Sequence, residues 1–240
     1  MSPAEVTGSV TDSADKGGRR RSRSVRALVL ILAWAALTGL LIAVGVGVRH
    51  SGWVNAFDRH ATSVVVAHRT PVLNAVMKAV TWLGSWVALV ATGILLVVLV
   101  LRRRLPRAAV VLAVVAWAGE NGGVTLAKHV VERDRPPQDL RLVSAHGWSW
   151  PSGHTAVALL VFTTLALVVA AIAPRSEYRA PAWVLAAFAV AAVAFSRVEL
   201  GVLWITDVIA SIVFVGAWLV VLFALFGSDI RPKRIDDEAR

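Results

Sequence analysis

Apolar positions in this chain gather into six runs, at 27–48, 79–101, 108–127, 155–173, 182–195 and 203–226, separated by stretches rich in arginine, proline and polar residues. A helix crossing the roughly 30 Å hydrocarbon layer needs about 20 such residues, and most of the runs supply them. The fifth falls short unless Ser196 and Arg197 carry it to the interface. No strand-type alternation is sustained, so the pattern predicts an all-α, six-transmembrane helical bundle and not a barrel. The first run exceeds the about 7–15 residues of a signal h-region and is read as a span rather than a leader. Residues 49–78 mix polar and apolar positions, and Trp53 and Phe57, four apart, predict a short helix lying at the interface.

Composition agrees with a membrane chain. Hydrophobic residues make up 57% of the 240, with a mean hydropathy of +0.69, above the about 45–50% apolar content of soluble domains. There is no cysteine, which excludes disulfides and thiolate chemistry. Polar, aperiodic residues 1–26 are expected to be a disordered basic tail, 27–227 the membrane domain, and 228–240 a cytoplasmic tail.

The net charge of +10 sits largely in clusters beside the runs: Arg19, Arg20, Arg21, Arg23 and Arg26; Arg102, Arg103, Arg104 and Arg107; and Arg231, Lys233 and Arg234. With both termini cytoplasmic, all three clusters fall inside, where they set topology and meet anionic lipid. No reader motif accompanies the charge, so nucleic acid is not an expected partner. Lys128, Arg133, Arg135, Arg141 and Arg197 then fall outside, against the topological trend. Their simplest work there is to hold an anion.

Three outer segments carry the candidate chemistry: Lys128 to Arg135-Pro136, Pro151-Ser152-Gly153-His154 at the entry to the fourth span, and Ser196-Arg197 with Asp207. Arginine offers a planar fork of donors to a phosphate and lysine a point charge. Ser152 and Gly153 precede a helix, so their backbone N–H groups and the serine hydroxyl can cradle oxygens at its positive end. His154 at the same terminus can protonate a leaving alkoxide. Of the other polar residues, Glu120 and Asn121 read as helix-packing groups, Trp148, Trp150 and Trp204 as interfacial anchors, and His50, His60 and His68 as solvated, since none has a metal-ligand spacing.

The spacing K-x6-R-P, then P-S-G-H, then S-R followed by an aspartate ten residues after the arginine resembles the type 2 phosphatidic acid phosphatase family, membrane lipid phosphatases that share a core with vanadium haloperoxidases. The resemblance implies hydrolysis of a phosphomonoester or pyrophosphate on a lipid headgroup at the outer face. Lys128, Arg135 and Arg197 would bind the phosphoryl oxygens, with Ser152 and Gly153 completing the cradle. His154 would be the acid, and Asp207 would orient an attacking histidine. It implies no metal and no cofactor, a phosphorylated lipid and the bilayer as partners, and, with the Ala/Val/Arg-rich composition, a bacterial inner membrane with the site facing the periplasm or cell exterior.

The attacking histidine's position is Leu203. Leucine can neither attack phosphorus nor accept a hydrogen bond, and at helical spacing Asp207 is left facing an apolar neighbour. Three explanations stand open. The chain is a catalytically silent lipid-phosphate binder or transporter; it is an enzyme carrying a substitution; or another residue attacks, with His146 the nearest by sequence.

Overall fold

A computed structural model describes residues 3–173 and 175–227, with side chains from residue 24 onward. Among these residues there are eight α-helices: α1 (Pro3–His50), α2 (Gly52–Ala67), α3 (Pro71–Val80), α4 (Trp86–Leu101), α5 (Arg107–Val131), α6 (Gly153–Ile172), α7 (Arg179–Glu199) and α8 (Ile205–Phe226). Five stretches are long and apolar enough to cross a bilayer: Ser24–His50, Arg107–Val131, Gly153–Ile172, Ser176–Glu199 and Ile205–Phe226. A pair, Pro71–Gly84 and Trp86–Leu101, bent by 45°, makes six if taken as one span.

Two expectations about elements change. The second run was expected to be one helix over 79–101, but the 3-10 turn Thr81–Gly84 breaks it. The last run was expected to be helical from 203, but α8 begins at Ile205, because the Asp207 carboxylate accepts from Trp204 N at 2.9 Å and caps the helix there. α1 is traced from Pro3, within the residues expected to form the basic tail; no proline lies between Pro3 and Pro71 to withdraw a backbone donor. The tail expected over 228–240 lies outside the described residues. The interfacial helix over 49–78 is present as α2, with Trp53 and Phe57 exposed and Val54, Asp58 and Thr62 buried.

α6 packs against α4, α5, α7 and α8, while α1 closes the bundle against α5 and α8. The core between them holds Ala116, Val124, Ala127, Ala156, Leu160, Phe214 and Trp218. Small residues on α5 let large rings approach its backbone: Trp218 lies against Gly119 and Phe214 against Gly123. Buried indoles need acceptors where there is no water. Trp34 Nε1 donates to Gly119 O at 2.7 Å, Trp218 Nε1 to Ala116 O at 3.1 Å, and Trp150 Nε1 to Leu41 O at 3.2 Å. Trp150 is therefore a core residue, 2% exposed, and not the expected interfacial anchor.

The ends of these helices sort the chemistry. The C-terminal ends of α5 and α7 and the N-terminal ends of α6 and α8 come together, and Arg49 at the end of α1 joins them by donating to Val131 O at 2.8 Å. The Arg102–Arg107 cluster lies at the opposite end of α4 and α5.

Candidate active site

The center of this end of the bundle is an ion cluster around Arg133, just beyond α5. Its Nη1 donates to Asp207 Oδ1 at 2.6 Å and to Thr206 Oγ1 at 2.8 Å. Its Nη2 donates to Asp58 Oδ2 at 2.6 Å and to Asn55 Oδ1 at 3.0 Å. All three charged side chains are buried, and a charge removed from water persists only when paired and hydrogen-bonded. Thr206 strengthens the cluster, its N and Oγ1 both donating to Asp58. The cluster thus joins α2, the segment after α5, and α8.

This corrects the expectation for Asp207. It does not face an apolar neighbour: its Oδ1 takes Arg133 and its Oδ2 takes Trp204 N. Leu203 does not share a helix face with it either. Gly201, at φ +69°, turns the chain between α7 and α8, and Leu203 lies in that connection before α8 starts. Leu203 packs with Leu200, Val202, Met77, Leu142, Val143 and Ala145.

The predicted cations converge, but their donors are used unequally. Lys128 Nζ donates to the carbonyls of Trp148, Ser149 and Pro151 at 2.9, 3.3 and 2.7 Å, which accounts for all three of its protons. Arg135 donates from Nε to Gly147 O, from Nη1 to Val202 O, and from Nη2 to His146 O and Trp148 O, all at 2.8–3.1 Å. Burial holds the Arg135 guanidinium below its ordinary range, against the pull of Asp207. These two side chains wire the 146–151 loop into place. Arg197 differs. Its Nη1 donates to Thr81 Oγ1 at 2.7 Å, while its buried Nε has no hydrogen-bond partner among the described residues. An unmet buried donor on a cation is where an anion is most favoured.

The first turn of α6 meets these cations. The His154 carbonyl lies against Gly84, in the same turn whose Thr81 accepts the Arg197 hydrogen bond. A Cβ at Gly153 would meet nothing within 4 Å, so the helix N-terminus opens onto free space beside His154. Ser152 departs from the expected cradle. Its Oγ accepts from Thr155 N at 3.2 Å and donates to Thr155 Oγ1 at 2.8 Å, and its N–H donates to Asp207 O at 3.1 Å. A fully buried serine with both donors spent caps α6 and ties it to α8. Ser211 completes that tie, its hydroxyl donating to Ser152 O and Asp207 O.

Several residues of the site were not singled out in the sequence. Arg133 had appeared only as one of the outer cations, and Asp58, Asn55 and Thr206 not at all; the one available signal is a carboxylate at the buried helical spacing Val54, Asp58, Thr62. Thr81 carried no signal. Arg69, between α2 and α3, donates to Glu199 O and to Leu140 O, the latter at 2.9 Å, and so holds the end of α7 to the 137–143 segment. Burial lowers its guanidinium below the usual range, with Glu199 opposing. His146 is exposed, on the loop that Arg135 grips. Among the described residues no three His, Cys, Asp or Glu side chains come together.

The PAP2 superfamily profile matches residues 108–231. Phosphatidylglycerophosphatase B of Bacillus subtilis (strain 168) is 27% identical over 186 residues, which cover 77% of this chain and 89% of that protein. The crystal structure of a transmembrane PAP2 type phosphatidylglycerolphosphate phosphatase from Bacillus subtilis superposes with a TM-score of 0.67 at 26% identity, over 82% of this chain and 95% of that one. The structure of Aquifex aeolicus LpxE superposes with a TM-score of 0.51 at 20% identity, over 68% and 93%, a likeness of fold.

Proposed function

This chain belongs to the PAP2 superfamily, and on that premise we propose that it takes up the phosphoryl group of a membrane lipid headgroup in a phosphatase-type site whose attacking histidine is replaced by Leu203. The observation that carries the reading is Arg197: a buried cation with an unmet donor, hydrogen-bonded to the turn that lies against the first turn of α6, where His154 sits beside the open helix N-terminus. A phosphoryl oxygen would be held by the Arg197 guanidinium, and others would lie at the positive end of α6, with His154 placed to protonate a leaving oxygen. Lys128 and Arg135 would contribute their field and the shape of the 146–151 loop, since most of their protons already serve backbone carbonyls. The Arg102–Arg107 cluster at the far end of α4 and α5 supports, by the positive-inside rule, a site on the outer face of a bacterial plasma membrane.

In this reading the chain as it stands binds the headgroup without the covalent step. Leu203 closes the attacking position with an apolar group, while Asp207 is oriented by Arg133 and by Trp204 N. Arg197, His154 and Asp207 stand at the motif positions, so Leu203→His should supply what is missing. The test is phosphate release from phosphatidate, phosphatidylglycerol phosphate and a polyprenyl pyrophosphate, beside binding of inorganic phosphate and orthovanadate, for the chain and for Leu203→His. Both should bind the anions, with turnover in Leu203→His higher by at least about 10⁴-fold. Equal turnover in the two proteins, abolished by His154→Ala, would sink the non-hydrolysing reading. Absence of anion binding in both would sink the site itself.

A further inference from the structure

The turn that breaks the second span has no proline to cause it: it reads Thr81-Trp82-Leu83-Gly84, followed by Ser85. Two contacts account for its place. Thr81 Oγ1 accepts from Arg197 Nη1 at 2.7 Å. A Cβ at Gly84 would stand 2.5 Å from the His154 carbonyl oxygen and 2.7 Å from Val193 Cγ1, so the turn lies directly on the first turn of α6 and on α7. One four-residue turn therefore touches both elements that carry the proposed anion-binding side chains. It also lies outside residues 108–231, the part matched by the superfamily profile.

We infer that this turn is a wall of the phosphate site and that Thr81 is a positioning residue, fixing the direction in which Arg197 presents its guanidinium. The inference rests on the reading of Arg197 as a phosphoryl-binding group. A guanidinium is a rigid planar fork, so pinning one nitrogen sets the plane in which the others point. The side chain behind it has several rotatable bonds, and an arginine already held in its binding geometry loses little freedom when the anion arrives. Gly84 permits the arrangement, because any side chain there would push the turn, and Thr81 with it, away from α6 and α7.

Binding of inorganic phosphate and of orthovanadate to the full chain in nanodiscs tests this. Thr81→Val keeps the shape and removes the acceptor; it should bind about tenfold more weakly, the scale of one hydrogen bond to a charged group. Thr81→Ser restores the hydroxyl and should bind as the wild type does. In an Arg197→Lys background, where the planar fork is gone, Thr81→Val should cause no further loss. Should Thr81→Val fail to fold, Thr81→Ala compared with Thr81→Ser carries the same contrast. Wild-type affinity in Thr81→Val, or an undiminished loss in the Arg197→Lys background, overturns the positioning role alone. A wild-type chain that binds neither anion at millimolar concentration overturns the site reading and this inference with it.

Discussion

Replacing Arg133 with methionine should be among the most destabilising single changes at this end of the bundle. The guanidinium is 3% exposed and holds Asp58 and Asp207, both 0% exposed, each through a 2.6 Å hydrogen bond. Methionine has comparable length and fills the volume, so the loss isolates charge and hydrogen bonding from packing. Two carboxylates are then left buried with no counter-charge between them. Removing one partner of a buried ion pair costs about 3–5 kcal/mol, and two orphaned carboxylates place this variant toward the upper end. For a chain of this length, at about 2–4 °C per kcal/mol, the midpoint of thermal unfolding should fall by about 6–20 °C. The ten tryptophans make intrinsic fluorescence in detergent a suitable readout. A companion triple variant, Arg133→Met with Asp58→Asn and Asp207→Asn, removes the charges together with their partner. It should recover most of the loss, because most of the penalty is uncompensated charge rather than the net worth of the pair. A drop below about 2 °C for Arg133→Met, or a triple variant no more stable than the single one, would refute the assignment of Asp207 to Arg133.

Two further outcomes follow from the same geometry. Ser152→Ala removes the α6 cap and should cost about 1 kcal/mol of stability, while weakening phosphate binding far less than Arg197→Lys does; equal losses of binding would return Ser152 to the cradle. Gly119→Ala drives a methyl group into the Trp218 indole and should destabilise by about 1–3 kcal/mol through overpacking, read as a lowered unfolding midpoint; an unchanged midpoint would mean that α5 and α8 can separate freely.

The spans were legible in the sequence because solubility in hydrocarbon is a property of local composition, and the motif residues because each motif is a short, fixed spacing. What was not legible depends on distant partners. Arg133 finds Asp58 and Asp207 at separations of 75 and 74 residues, and nothing within nine residues of Lys128 announces either. The break at Thr81–Gly84 was invisible for the same reason: the local sequence is compatible with helix, and the turn is explained by Arg197 and by the first turn of α6. Ser152 was ambiguous in a different way, since a hydroxyl before a helix serves equally as cap and as anion ligand, and only the bonds it makes decide between them.

Charge counting identifies the site, but free donors decide what it can hold. Lys128, Arg135 and Arg197 are equivalent in the sequence, three cations at motif positions beside apolar runs. In the fold, Lys128 has committed every proton to loop carbonyls, and Arg135 has placed three hydrogen bonds there and a fourth on Val202 O. Such bonds are needed because a dry charge without partners is more costly than the fold can bear. Arg197 alone of the three keeps a buried N–H unmet. A phosphate arriving at Lys128 or Arg135 would have to displace carbonyls already bonded there, gaining only the difference. At Arg197 it would gain the full hydrogen bond and relieve an existing desolvation cost. Affinity should therefore be governed by Arg197 and by whatever aims it, while Lys128 and Arg135 act through the loop they hold.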